Sequence, residues 1–100
     1  MNMKIRVLLG IGAVMLLSAC GDDLPEGSVL VQEKGCVACH GMDGRATAES
    51  YPNLNGQWER YLRLQLRAYR SGERDNVVMN GLAATLTDEE IVALAEFYGS

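Results

Sequence analysis

The sequence predicts an all-α domain, and two helical patterns in its second half carry this prediction. From Gln57 to Arg70, apolar and aromatic side chains recur at steps of three and four residues, which is the spacing of one face of a helix. Further along, Thr87 is followed three residues later by Glu90, the pattern of a capping box at the start of a helix. Because no stretch shows the alternation of a half-buried strand, we expect three to five short helices.

An earlier helix is predicted to start at Pro25, since proline suits the first turn of a helix, and to continue to about Gly35. The chain from Gly41 to Gly56 is rich in Gly, Asp, Asn, Ser and Pro, which favours a long ordered loop. A loop of this length in a small domain is usually functional or wrapped around something.

The two later helices are separated by a second predicted loop. The helix that begins at Gln57 should end at Gly72. The loop then runs from Glu73 to Leu86 and holds Met79. The apolar face of the last helix consists of Ile91, Leu94, Ala95 and Tyr98.

The N-terminal segment has the composition of a secretory signal peptide. Residues 1–19 begin with basic side chains, continue with a short run of small and aliphatic residues, and end at Ala19 directly before Cys20. The apolar run is shorter than the about 20 residues that a membrane-spanning helix needs, although a permanent anchor helix is the alternative. We expect residues 1–19 to be removed.

The tetrapeptide Leu-Ser-Ala-Cys that ends at Cys20 resembles a bacterial lipobox, in which the cysteine is lipidated and becomes the mature N-terminus. Lipidation would also account for the third cysteine, because Cys36 and Cys39 form a pair. The alternative is ordinary cleavage near Ala19 or Cys20, which would leave a free thiol or an intermolecular disulfide. We therefore expect a lipid-anchored protein.

The chain is thus predicted to consist of a signal peptide (1–19), a lipidated N-terminus with a short tether (20–25) and one domain (26–100). The whole chain has 9 basic and 13 acidic residues and a formal net charge of −4. Without Lys4 and Arg6, 9 minus 2 leaves 7 basic residues against 13 acidic ones, a net charge of −6. This acidity argues against a nucleic acid partner and favours partners with a positively charged docking face.

The segment Cys-Val-Ala-Cys-His at residues 36–40 has the C-x-x-C-H pattern of a c-type haem attachment site. Its spacing allows Cys36 and Cys39 to form thioether bonds along one porphyrin edge, while His40 presents a ring nitrogen to the iron. A thioredoxin-like cysteine pair is an alternative, but it needs a βαβ context that this sequence lacks. A zinc site needs four nitrogen or sulfur ligands, and the mature chain adds only Cys20 to these three.

The second iron ligand is predicted by elimination. His40 is the single histidine of the sequence, so ligation by two histidines of this chain is excluded. Of the mature chain's methionines, Met42 lies too close to His40 to reach the opposite haem face, whereas Met79 lies far enough along the chain. Met79 is therefore the predicted ligand, with an ordinary core methionine as the alternative. Methionine and histidine together raise the potential and suit electron transfer.

Several stretches resemble the small bacterial class I cytochromes c, and the resemblance spans residues 27 to 98 with the motifs in the family's order. It is carried by the haem motif with Gly41, the segment Tyr51 to Gln57, the helix from Tyr61 to Gly72, Met79 with Ala83, and the segment Leu86 to Ile91. The resemblance implies the cytochrome c fold, with short helices wrapped around one covalently bound haem c.

The resemblance also implies roles for individual residues. The carbonyl of Pro52 would accept a hydrogen bond from the second ring nitrogen of His40 and fix its orientation, although Pro52 could be a plain loop proline. Gly27 would lie where the first and last helices cross, opposite Phe97 or Tyr98.

Arg45, Trp58 and Tyr61 are candidates for contacts with the haem edge or its propionates, with packing or a solvated charge as the alternative. The segment from Asn76 to Gly81 departs from the family, whose members often carry small residues or proline beside the ligand methionine.

The function implied is that of a single-haem electron carrier rather than an enzyme, tethered at the periplasmic face of the bacterial inner membrane. It would pass electrons between redox proteins through the exposed haem edge, as a monomer or as a subunit of a respiratory complex. The alternatives are a haem-based sensor or peroxidase with an open iron site, and a thiol–disulfide oxidoreductase that uses Cys36 and Cys39.

Overall fold

The computed structural model describes residues 24–100, so the predicted signal peptide and Cys20 lie outside the described residues. Within this range the chain forms five helices and no strand, which confirms the all-α prediction. None of these helices combines the length and the apolar character needed to cross a membrane. The helices are α1 (Gly27–Glu33), α2 (Val37–His40), α3 (Glu59–Ser71), α4 (Val77–Ala83) and α5 (Asp88–Tyr98).

The last helix organises the packing. Helices α1 and α3 both pack against α5, while α4 packs against α3. The apolar face predicted for α5 is buried, because its members are all among the core side chains. The core consists of Leu30, Val31, Leu62, Ala83, Leu86, Ile91, Leu94, Ala95 and Tyr98.

Helices α1 and α5 approach each other most closely at Gly27. A Cβ atom at Gly27 would lie 2.6 Å from the Cβ of Phe97 and 3.0 Å from the carbonyl oxygen of Ala93. These distances leave no room for a side chain. The crossing expected at Gly27 is therefore present, with Phe97 as the neighbour.

Helix α1 is shorter than the predicted range from Pro25 to Gly35. It gives way to a tight turn in which the N–H of Lys34 donates to the carbonyl of Leu30 and the N–H of Gly35 donates to that of Gln32. Gly35 has a φ of 81°, a conformation that favours glycine, and it redirects the chain into α2.

The ends of the two longer helices follow the predicted signals. Helix α3 stops at Gly72, which has a φ of 88° and donates its N–H to the carbonyl of Tyr69. At the start of α5 the Thr87 hydroxyl accepts from the Glu90 N–H at 3.1 Å, and the Glu90 carboxylate accepts from the Thr87 N–H at 3.0 Å. The predicted capping box is therefore confirmed.

Helix α4 corrects the prediction of a loop from Glu73 to Leu86, because it places Met79 within a helix. The Asn76 side chain starts this helix by accepting hydrogen bonds from the N–H groups of Val78 and Met79. The two valines and the glycine in this short segment have low helix propensity, so the sequence pattern does not predict the helix. Asn76 is the one local signal that could have revealed it.

Replacing Gly27 with alanine should lower the free energy of unfolding by about 1–3 kcal/mol, because the added methyl group is forced against Phe97 and the Ala93 carbonyl. Gly81→Ala in α4 is the matched control, since a Cβ atom added at Gly81 meets no atom within 4 Å. That variant should be neutral or stabilising by up to ~1 kcal/mol. Guanidinium denaturation measures both, and equal effects would contradict the tight crossing.

A second prediction concerns acid stability. The hydrogen bond from the Thr87 N–H is the main cause that holds the pKa of Glu90 below its ordinary value, with Lys34 adding to it. Because the folded-state pKa is depressed, this stabilisation is present above the unfolded-state pKa of about 4.3 and is lost as the pH falls through the folded-state value. Glu90→Gln should therefore be less stable than the wild type at neutral pH.

The difference in stability between the wild type and Glu90→Gln should become smaller as the pH falls from roughly 5 to 3. Denaturation midpoints measured across this range test this expectation. Glu89→Gln removes an exposed carboxylate from the same helical turn and serves as the control. An equal narrowing for Glu89→Gln would attribute the effect to the helix dipole instead of the capping box.

Candidate functional site

A cavity of about 360 Å³ lies between the helices and includes the C-x-x-C-H motif in its wall. Cys36, Cys39 and His40 line it from α2 and the preceding turn, and Met79 lines it from α4. Its size falls within the range of small-molecule and cofactor sites. The structure thus brings the predicted attachment cysteines and both predicted iron ligands to one cavity.

Most of the remaining wall is apolar. Leu62 and Leu66 reach it from α3, Leu94 and Ala95 from α5, and Leu82 from α4. Four of the five helices therefore contribute to the wall, while α1 supports α5 from behind. Such a lining excludes water and suits a large apolar ring.

Helix α2 places the two cysteines on one side of a single turn. Cys36 and Cys39 are three residues apart, so their side chains lie on the same helix face. The end of the turn is held by Thr47, whose hydroxyl donates to the carbonyl of Ala38 at 2.9 Å and whose N–H donates to that of Cys39 at 3.0 Å. A side-chain and a backbone hydrogen bond therefore fix the cysteine segment against the long loop.

Cys36 and Cys39 form no disulfide with each other, so both sulfurs are available for attachment of a cofactor. Burial raises the pKa of the Cys36 thiol, and the neighbouring Cys39 adds to this effect.

His40 is only 7% exposed, and its Nδ1 lies 2.9 Å from the carbonyl oxygen of Pro52. Because a carbonyl oxygen can only accept a hydrogen bond, Nδ1 carries the ring proton. Nε2 is then the nitrogen that can bind iron. The expected hydrogen bond from His40 to the Pro52 carbonyl is present, and it orients the ring in the way common to metal-bound histidines.

Tyr98 also supports the histidine segment, a role that the sequence did not reveal. Its hydroxyl donates to the carbonyl of Gly41 at 2.8 Å, and its ring packs edge-on near His40 with centroids 6.5 Å apart. Burial raises the pKa of Tyr98 well above its ordinary value, so the hydroxyl stays protonated and can donate. The available signal was a tyrosine on an aliphatic helix face, since a buried hydroxyl usually has a partner.

Met79 and Met42 lie in different environments, as expected if Met79 is the iron ligand. Met79 is partly buried and lines the cavity. Met42 is 45% exposed and lies outside the cavity wall.

The three candidates for haem-edge or propionate contacts are not brought together. Tyr61 lines the cavity, and together with Trp58, which is 78% exposed, it also lines a smaller adjoining depression. Arg45 is not among the residues that line the cavity, and its Nε lies 3.8 Å from Oδ2 of Asp43. The predicted haem contacts of Trp58 and Arg45 stay predictions.

Known proteins are similar to this chain in sequence and in fold. Residues 24–99 match the family described as Cytochrome c. Over 68 residues the chain is 46% identical to "Cytochrome c-554(548)" of Halomonas halodenitrificans, a match that covers 65% of this chain and 82% of that protein. It is also 45% identical over 64 residues to the "Thiosulfate dehydrogenase electron acceptor" of Thiomonas intermedia, covering 63% of this chain and 30% of that protein.

A solved structure of cytochrome c4 from Acidithiobacillus ferrooxidans is similar with a TM-score of 0.68 and 26% identity. The match covers 79% of this chain and 52% of the cytochrome c4 chain, so this chain spans about half the length of that relative. The residues that line the cavity fit a covalently held haem: two thiols on one helix face, a histidine with Nε2 available, and apolar walls. The chain belongs to the cytochrome c family, and it is a single-haem electron-transfer protein that carries haem c covalently through Cys36 and Cys39.

Proposed function

We propose that His40 and Met79 are the axial ligands of the haem iron and that the chain is an electron carrier between protein partners rather than an enzyme. The observation that carries this proposal is the cavity that both residues line together with the attachment cysteines. When bound, the haem supplies the one-electron change of oxidation state. The protein's own residues hold, orient and shield the cofactor.

On the histidine side, orientation comes from the backbone. The Pro52 carbonyl accepts a hydrogen bond from the Nδ1–H of His40 and so directs Nε2 towards the cavity. Such a partner fixes the tautomer and increases the basicity of the bound imidazole. The Tyr98 hydroxyl holds the next residue, Gly41, so that the ligand segment is tied to α5 as well.

On the methionine side, a thioether sulfur is a soft, weakly basic ligand that raises the reduction potential. With His40 and Met79 both bound, the iron has no vacant position for oxygen or peroxide. This distinguishes a carrier from the sensor or peroxidase alternative. The apolar walls from α3 and α5 exclude water and thereby also influence the potential.

The proposed partners are redox proteins with a positively charged docking face. Most basic side chains of the described residues lie between Arg60 and Arg74, so the rest of the surface is predominantly acidic. A relative named as an electron acceptor of thiosulfate dehydrogenase supports exchange with a dehydrogenase of some kind. Complementary charge would speed association between such proteins.

We also propose that residues 1–19 are a signal peptide and that lipidated Cys20 anchors the domain at the periplasmic side of the inner membrane. The lipobox-like sequence and the presence of a third cysteine besides the haem-attachment pair support this proposal. Since α1 begins at Gly27, the chain from Cys20 to the start of α1 covers seven residue steps and spans at most about 25 Å. The electron-transfer domain would therefore stay close to the membrane surface.

The ligation is tested by the absorption spectrum of the oxidised protein. Met79→Ala should abolish the weak far-red iron–sulfur charge-transfer band and let the reduced protein bind carbon monoxide rapidly, because the substitution opens the second axial site. Met42→Ala is the matched control and should keep the wild-type spectrum, since Met42 lies outside the cavity wall. A wild-type protein without the band would refute ligation by Met79.

The anchor is tested by fractionation of cells that express the full chain. Cys20→Ser should move the protein from the membrane fraction to the soluble periplasmic fraction and remove incorporation of labelled fatty acid, because serine cannot form the thioether to the lipid. The haem spectrum should stay unchanged. Equal membrane retention of both forms, or no label in the wild type, would contradict lipidation.

A further inference from the structure

We propose that Asn76 and Asn80 are positioning residues that hold Met79 towards the haem and determine how firmly the second axial site stays closed. The inference rests on the proposed ligation by Met79. It concerns the two asparagines that flank this methionine and connect α4 to the end of α3.

Asn80, the residue after Met79, uses its whole side-chain amide. Its Nδ2 donates to the carbonyl oxygens of Tyr69 and Arg74, each at 2.8 Å. Its Oδ1 accepts from the N–H of Asn76 at 2.8 Å. A single side chain thus joins the start of α4, the middle of α4 and the last turn of α3.

Asn76 holds the other side of the methionine. Its Oδ1 accepts from the N–H of Val78 at 3.1 Å and from the N–H of Met79 itself at 3.0 Å. Its carbonyl accepts from the N–H of Asn80 at 2.7 Å, which closes a ring of hydrogen bonds around the methionine backbone.

The two residues whose carbonyls accept these bonds, one at the end of α3 and one just after it, are fixed in turn. The N–H of Arg74 donates to the carbonyl of Ala68 at 3.1 Å, and its guanidinium lies over the Tyr69 ring, 4.8 Å from the centroid. The Asn80 amide therefore binds to a backbone segment that is itself held in place.

Packing alone provides little hold on the first turn of α4. Val77, in the first turn, is 88% exposed and lies outside the cavity wall, so this side chain buries little apolar surface. A helix of seven residues is also too short to be stable by itself in water. The asparagine hydrogen bonds therefore directly restrain the start of the helix that carries Met79.

A restraint of this kind affects ligand exchange more than global folding. If the start of α4 can move, Met79 leaves the iron more often and an external ligand competes more easily. Loss of these hydrogen bonds should therefore increase the affinity of the oxidised protein for imidazole by roughly tenfold. The full haem-loaded chain is titrated with imidazole, and the far-red band and the denaturation midpoint are recorded on the same samples.

Four variants separate the effects. Asn80→Ala and Asn76→Ala should bind imidazole more tightly, whereas Asn76→Asp keeps the capping oxygen and should retain wild-type affinity. Thr87→Ala removes a cap of α5 and should lower the denaturation midpoint without changing the imidazole affinity. If Asn80→Ala does not yield folded protein, the comparison of Asn76→Ala with Asn76→Asp decides.

The outcomes distinguish this inference from the ligation on which it rests. A wild type that has the far-red band, together with unchanged imidazole affinity in both alanine variants, overturns the positioning role alone. Equal tightening in Thr87→Ala also overturns it, since general destabilisation would then explain the effect. A wild type without the band removes Met79 as a ligand, and the inference fails together with the ligation.

Discussion

The attachment of haem c to one helical turn is the constraint on which the rest of the structure depends. Cys36 and Cys39 fix one edge of the cofactor against α2, and His40 follows directly in the chain. Every other element is arranged relative to that turn. Helices α3, α4 and α5 supply walls for the cavity, the long loop brings the Pro52 carbonyl to the histidine, and α1 packs behind α5.

The two proposed iron ligands are both held by polar groups, but of different kinds. His40 is oriented by the Pro52 carbonyl, and the hydroxyl of Tyr98 holds the residue that follows the histidine. Met79 lies on a short helix that the amides of Asn76 and Asn80 hold in place. A few hydrogen-bonding groups thus set the geometry of the ligands, while most of the cavity wall stays apolar.

The parts of the fold that the sequence predicted correctly depend on local signals. The capping box at Thr87, the glycine at the end of α3 and the C-x-x-C-H motif each act within a few residues, so their spacing is visible in the sequence. The haem motif and the lone histidine likewise made most of the site predictable.

The parts that were missed depend on tertiary contacts. Helix α4 is short, contains two valines and a glycine, and is held by Asn80 through the carbonyls of Tyr69 in α3 and Arg74 after it, contacts that no local pattern encodes. Tyr98 had the spacing of a core residue, and only the folded chain brings its hydroxyl to Gly41.

The bond between Tyr98 and Gly41 also has a consequence for the order of folding. It joins residues that are 57 positions apart, and the contact between Gly27 and Phe97 joins the two ends of the domain. Closing such long loops costs chain entropy, and the contacts that offset this cost form only after closure. The last helix is therefore the element that completes the domain, so the cysteine segment can leave the ribosome and be exposed well before the final turn of α5 encloses it.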